Sequence, residues 1–408
     1  MKPKWFVLTA ATLLSLAVAA DAAAAAGPKF RVLHNFTGGN DGGGPVLFAA
    51  LAMDDDGNLY GAGGGGSIKN CEGWGCGVIF EMKRGAGGKW IETVLFNTAD
   101  PQTQGLFNSP LALDATGDLY GCTERWTGSA PMFELTPGSP QWNFNPIWSG
   151  GCIGPVGLIL DNTGDLYGEF GNGSTGGISE LSPGTDGWVY TNLYEFCQQK
   201  GCPDGDDPEA PLSWDAKGNL YGTTYDGGYD WPKCYCGVAF QMTPNGDGTW
   251  TYHVMHRFSY HNDGAFPLGS LTVDASGNAY GTTTHAGPYG NGNVFELTPA
   301  GKGHWKLTVV YGFPNPNIGT VPCCDLVLDK AGSLYGVASG PNCGWYCGLV
   351  FKLAPQKGGK WKYSVLHEFD MTDGDFPNGL TMDSQGHLYG TTHGGGKYGY
   401  GVVFEIIP

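Results

Sequence analysis

The stretch Asp215-Ala-Lys-Gly-Asn-Leu-Tyr-Gly-Thr-Thr224 decides the fold, because its core returns six more times along the chain. The other copies run from Asp54 to Gly61, Asp114 to Gly121, Asp161 to Gly168, Asp274 to Gly281, Asp329 to Gly336 and Asp383 to Gly390. In each an Asp opens a turn, a Gly takes the left-handed position where a side chain would clash, and Tyr-Gly follows. A period of roughly 55 residues marks a propeller or solenoid array, whose units bury their apolar faces only against neighbours.

Outward from the hairpin, each unit reads as four strands. Strand a is the apolar run before the Asp, as in Leu51-Ala-Met53, Leu158-Ile-Leu160 and Leu271-Thr-Val273. Strand b carries the Tyr-Gly. Strand c follows a Gly-rich loop, for example Val78-Ile-Phe-Glu-Met82 or Val238-Ala-Phe-Gln-Met242. Strand d starts at Trp90, Trp142, Trp188, Trp250, Trp305 or Trp361. The last unit stops after strand c, at Ile406-Ile-Pro408, while Phe30-Arg-Val-Leu-His-Asn-Phe36 matches the strand-d segment Tyr363-Ser-Val-Leu-His-Glu-Phe369. The N-terminal strand is therefore predicted to complete the last unit and close the ring without an exposed edge. The expected fold is all-β, a seven-bladed β-propeller of four-stranded blades.

The segments Gly218-Asn-Leu-Tyr-Gly-Thr-Thr224 and Val294-Phe-Glu-Leu-Thr-Pro299 resemble the GloVer tandem-repeat proteins of bacteria. The resemblance covers nearly all of the chain after its N-terminal segment. It implies an exported repeat protein, often tethered by a C-terminal anchor, although no anchor is expected after Pro408 here. It brings no activity and no catalytic residues.

Residues 1–22 read as a signal peptide: Lys2 and Lys4, then the apolar run from Trp5 to Ala20, then small residues. Residues 28–408 are read as one propeller domain. No later run reaches the roughly 18 apolar residues of a membrane helix. A net charge of −17 argues against nucleic acid and anionic membranes as partners. The expectation is a secreted or periplasmic monomer without cofactor or metal. In an exported chain the twelve cysteines are expected to form disulfides. Cys197, Cys202, Cys234 and Cys236 form one group, and Cys323, Cys324, Cys343 and Cys347 another. These are expected either to pin each d-to-a connection to the neighbouring b-to-c loop or to close locally, as Cys197–Cys202 would. Cys71–Cys76 is expected to be local, and Cys122–Cys152 remains.

Residues that recur in every unit are expected to serve the blade. The hairpin Asp resembles a calcium loop only superficially, since the terminal Glu is missing, and it reads as a cap on its own turn. The strand-c residues Glu81, Glu134, Glu180, Glu296 and Glu405 read as a solvated face. His34, His256 and His367 share a register with Phe96, Trp148, Tyr194 and Tyr311, so they read as fillers of an aromatic slot.

A propeller gathers its d-to-a connections and b-to-c loops on one face, around the central channel. There the loops carry Trp74, Trp126, Trp231, Trp345, Tyr289 and Tyr398, and four connections carry Asp-Gly-x-x-Pro, including Asp263. His285 and His393 fall on the same face. Aromatic planes beside carboxylates suit sugar rings, which stack on their C–H faces while their hydroxyls donate to oxygen. The alternatives are loop-on-loop packing for the aromatics and a plain turn for the motif. These nine residues are the candidate ligand site, and no catalytic residue is assigned. Three functions follow: a module binding an extracellular glycan or similar ligand, a glycan or lactone hydrolase or lyase on the same face, and a protein-interaction scaffold.

Overall fold

A computed structural model describes residues 27–47, 49–65, 77–98, 106–107, 109–124, 131–139, 141–150, 157–169, 176–229, 234–314, 320–339 and 347–408. The expected signal segment lies outside them. The described residues form seven antiparallel sheets, each ordered a-b-c-d from the channel outward. Blade 4 runs Ser213–Trp214, Leu220–Thr224, Val238–Pro244 and Trp250–Arg257. Blades 5 and 6 follow with strands a at Thr272–Val273 and Thr320–Leu328. In blade 7, Asp375–Met382, Leu388–Gly394 and Val402–Ile407 are joined by Lys29–Asn35 from the other end of the chain. Lys29 pairs with Ile407 and Asn35 with Val402. Arg31 forms an ion pair with Glu405, and Phe30 stacks on His367 of blade 6 at 3.6 Å. The ring closes as the sequence predicts.

The hairpin Asp is fully engaged by its own turn. Asp215 Oδ1 accepts the N–H groups of Lys217 and Asn219 at 2.8 and 2.9 Å, and Oδ2 accepts Asn219 Nδ2 at 2.7 Å and the Tyr221 hydroxyl at 3.1 Å. The same turn recurs at Asp274, Asp329 and Asp383. Its role as a cap stands. The strand-c glutamates differ from expectation, because they are second acceptors for the same tyrosines. Tyr60 lies 3.3 Å from Glu81, Tyr120 3.2 Å from Glu134, Tyr280 3.1 Å from Glu296 and Tyr389 3.0 Å from Glu405. Glu405 is only 1% exposed. Burial and the flanking carboxylates hold these phenols above their ordinary pKa, so they remain donors. Where Lys352 replaces the Glu, it sits 4.0 Å from Asp329 instead.

The Gly of Tyr-Gly lies under an aromatic ring. A Cβ on Gly222 would fall 2.4 Å from Phe240 Cζ and 2.9 Å from Leu212 Cδ2. Gly61, Gly121, Gly281, Gly336 and Gly390 meet the strand-c Phe of their own blades in the same way. Those Phe rings are fully buried. Blade 3 carries Ser179 in place of the Phe, and its hydroxyl meets that of Tyr190 at 3.0 Å.

Blades join through strand-d tryptophans, five of which sit edge-on against the strand-b Tyr of the preceding blade. The pairs are Trp188–Tyr120, Trp250–Tyr167, Trp305–Tyr221, Trp361–Tyr280 and, across the closure, Trp90–Tyr389. Around the channel, strand-a hydroxyls reach the next blade's carbonyls: Ser213 to Leu271, Thr272 to Leu326 and Thr381 to Leu51.

Gly222→Ala is expected to destabilise the fold by about 1–3 kcal/mol through overpacking. Combined with Phe240→Leu the cost should be clearly less than the two single costs summed, because the residues share one contact. Urea unfolding of the single and double variants measures both.

Candidate ligand-binding face

The Asp-Gly-x-x-Pro motif is a latch. Its Asp is held by a strand-d side chain: His34 to Asp41 at 3.2 Å, Tyr194 to Asp204 at 2.8 Å, His256 to Asp263 at 3.0 Å and His367 to Asp373 at 2.8 Å. Burial alone would raise Asp263, but hydrogen bonds from His256 and Ser259 hold it below the ordinary carboxylate range. Its oxygens are thus engaged within the fold. The aromatic slot does exist for the histidines, since each also packs edge-on against the following Phe. The motif Gly has no room for a side chain: a Cβ on Gly264 would lie 2.1 Å from Thr283 Oγ1.

The residue before the Pro adopts left-handed backbone in five blades: Gly44 (φ 52°), Asp207 (54°), Phe266 (57°), Val321 (61°) and Phe376 (52°). Four of the five are not Gly, and one is β-branched. Such positions cost about 1–3 kcal/mol each and persist only where the surroundings enforce them. In blades 1, 4, 5 and 7 the latch supplies that enforcement and brings these residues to the mouth.

One half of the mouth is acidic. Asp206 and Asp226 exchange backbone hydrogen bonds at 3.0 Å, which draws Asp206, Asp207, Glu209 and Asp226 together beside Tyr225. Burial, together with the field of neighbouring carboxylates, holds Asp206, Glu209 and Asp226 above the ordinary carboxylate range. Phe266 stacks on Tyr225 at 4.9 Å and meets His285 edge-on at 5.4 Å. The other half is apolar. Leu47, Leu268, Val321, Cys323, Phe376 and Pro377 line a cavity of about 220 Å³ between blades 1, 5, 6 and 7.

Of the candidates read from sequence, Trp74, Trp126, Trp231 and Trp345 lie outside the described residues. Tyr289 and Tyr398 are exposed on their b-to-c loops. His285 Nδ1 is 2.9 Å from Thr284 Oγ1, and His393 Nδ1 donates to the Pro45 carbonyl at 3.0 Å. Asp207, Glu209, Asp226, Tyr225, Phe266 and Phe376 are not among the residues that sequence reasoning selects. For Asp207, Phe266 and Phe376 the signal is the variable pair inside Asp-Gly-x-x-Pro, which a plain turn reading treats as filler.

The group in blade 4 takes the local alternative. Cys197 bonds Cys202 and Cys234 bonds Cys236. Cys122 and Cys347 are also disulfide-bonded, whereas Cys323 and Cys324 make neither of the expected bridges and instead lie with their Sγ atoms 2.6 Å apart. Cys71, Cys76, Cys152 and Cys343 lie outside the described residues.

Blade 3 buries a further carboxyl. Glu169 is 1% exposed, and neither oxygen finds a well-aligned hydrogen-bond donor among the described residues. Burial pushes it well above the ordinary carboxylate range, and the Ala210 backbone opposes this only in part.

The geometry defines a closed seven-bladed propeller with a half-acidic, half-apolar mouth. Within that class the chain belongs to the Gloeobacter/Verrucomicrobia repeat family, whose repeat matches residues 127–346 and 236–408. No curated protein matches it. Among solved structures, a Lactobacillus plantarum protein is similar with a TM-score of 0.53 and 13% identity, over 86% of this chain and 89% of that one. A putative 6-phosphogluconolactonase from Bacteroides uniformis has a TM-score of 0.48 and 13% identity, over 77% and 84% of the two chains. The PQQ-bound aldose sugar dehydrogenase of Streptomyces coelicolor has a TM-score of 0.42 and 14% identity, over 82% and 97%. Likeness at such identities is likeness of fold. No helix among the described residues is long and apolar enough to cross a membrane.

Glu169→Gln is expected to stabilise the protein at neutral pH. A carboxyl whose folded pKa is raised favours folding below its unfolded pKa, and that contribution is lost as pH rises through the folded value. The variant should therefore match the parent near pH 4 and exceed it at pH 8 by at least about 1 kcal/mol. Chemical unfolding across that range measures the difference.

Proposed function

We propose that the protein is an exported binding module that captures an extracellular glycan on the mouth face. The observation that carries this reading is where exposed apolar side chains gather. Leu47, Tyr260, Tyr289, Met371, Tyr398 and Tyr400 all stand on mouth-face loops, while only Ile91, Val189 and Ile407 lie elsewhere among the large exposed hydrophobics described. Such a concentration marks an interaction surface. The stacked Tyr225–Phe266 pair beside Asp207 and Asp226 offers an aromatic plane with adjacent acceptors, which suits a sugar ring. The negative field favours neutral or amine-bearing sugars over acidic ones.

A second reading rests on a different observation. The Asp206–Asp226 bridge gathers several carboxyls, and burial with the neighbouring carboxylates shifts Asp206, Glu209 and Asp226 upward, the direction a general acid needs, which supports hydrolysis of a glycan at the same place.

Protein with its disulfides intact should be retained by neutral or amino-sugar glycans on an immobilised panel. Phe266→Ala is expected to weaken that retention at least tenfold, about 1.4 kcal/mol. Asp207→Asn, which tolerates the left-handed backbone, should weaken retention of amine-bearing members selectively. Incubating the retained glycans with protein and assaying new reducing ends separates capture from hydrolysis. Absence of retention across the panel overturns the glycan reading and points to a protein partner.

A further inference from the structure

We propose that Cys323 and Cys324 close a vicinal disulfide, a reversible redox element in the wall of the mouth cavity. Their Sγ atoms are 2.6 Å apart, well inside ordinary non-bonded contact and approaching the ~2.05 Å of a covalent bond. Every other described cysteine is already bonded, so these two have only each other among the described residues. Those bonds argue for folding under oxidising conditions.

The surroundings hold the pair for this reaction. The Cys324 carbonyl accepts the Thr282 hydroxyl of blade 5 at 3.3 Å, and a Cβ on Gly269 would lie 2.2 Å from that carbonyl oxygen. The Cys324 backbone is thus wedged between blades, in left-handed conformation (φ 66°). Leu268 and Glu209 occupy the position of Cys323 in blades 5 and 4, while Gly269 and Ala210 occupy that of Cys324. Hence Cys323 lines the cavity while Cys324 is buried behind it.

The chemistry balances with an external disulfide as oxidant. The Cys323 thiolate attacks one sulfur of R–S–S–R and expels one RS⁻. The Cys324 sulfur then displaces the second RS⁻ from the mixed disulfide on Cys323. Two electrons pass to the external disulfide, and the two thiol protons end on the released RSH molecules. Consecutive Cα atoms lie about 3.8 Å apart, below the ~4.4 Å lower limit of ordinary bridges, so a bond between neighbours is more readily reduced than an unconstrained one. Closure removes two S–H groups and fixes an apolar sulfur surface beside Phe376 and Leu268. Reduction frees Cys323 to turn within the cavity.

The test is differential alkylation of never-reduced full-length protein exported into an oxidising compartment. It is followed by unfolding and peptide mapping without reductant. The expected peptide spanning positions 323 and 324 is unalkylated and lighter by two hydrogens than its dithiol. In graded glutathione buffers it should gain two labels before Cys197 and Cys202 gain any. Alkylated Cys323 in the never-reduced protein overturns the proposal, as does a crosslink from Cys323 to another cysteine. Labelling of Cys197 and Cys202 first leaves the bond in place but overturns its role as the reversible element. The readout uses the unmutated chain, so no variant has to fold.

Discussion

The structure depends on a missing side chain. A strand-b Gly leaves room for the ring tip of the strand-c Phe of its own blade and for a methyl group of the Leu beside strand a. One methyl group at Gly222 would fall 2.4 Å from the ring, a separation no packed pair sustains. With the Phe seated, the blade has a filled interior, and the preceding Tyr extends toward the hairpin Asp and the strand-c Glu or Gln. The same Tyr then receives the Trp of the next blade edge-on. These few residues thus fix packing within the blade, the hairpin and the joint between blades. This explains why one short phrase can specify a whole array.

Blade 3 tests that account from within. With Ser179 in place of the Phe, a hydroxyl now meets Tyr190 across the sheet. The same blade places Glu169 where blades 4 and 5 have Thr223 and Thr282, whose hydroxyls donate to the next blade's carbonyls. A carboxylate cannot donate, so that interblade bond is lost when the group is ionised. Protonation restores a donor, and this is the state that burial favours. Blade 3 therefore keeps the array's outline with different interior chemistry.

What can be read from the sequence follows from the same division. Asp215 is legible as a turn cap because a hairpin is local, and its partners lie two to six residues away. Ring closure is legible because Phe30–Phe36 copies an internal strand. The bond that Glu296 accepts is not, because its Tyr280 donor is set by strand register, and alternation alone gives a side chain's face without its bond. Asp263 escapes for a related reason, since its availability is decided by His256 in another element. The acidic mouth is illegible because Asp207 and Asp226 are brought together only by a bridge between separate loops.

The latch resolves an apparent conflict between strain and recurrence. Backbone in the left-handed region before a Pro is unfavourable for Asp207, Phe266, Val321 and Phe376, yet five blades adopt it. A purely structural requirement would be met most easily by Gly, as blade 1 does with Gly44. The second position of the motif behaves in that way: it is Gly42, Gly205, Gly264 and Gly374 in its four copies, where sterics leave no choice. The pre-proline position is not so restricted, and it carries a carboxylate in blade 4, aromatics in blades 5 and 7 and an aliphatic in blade 6. Constant residues therefore bear the geometry, and the strained position is left free to vary the chemistry of the mouth.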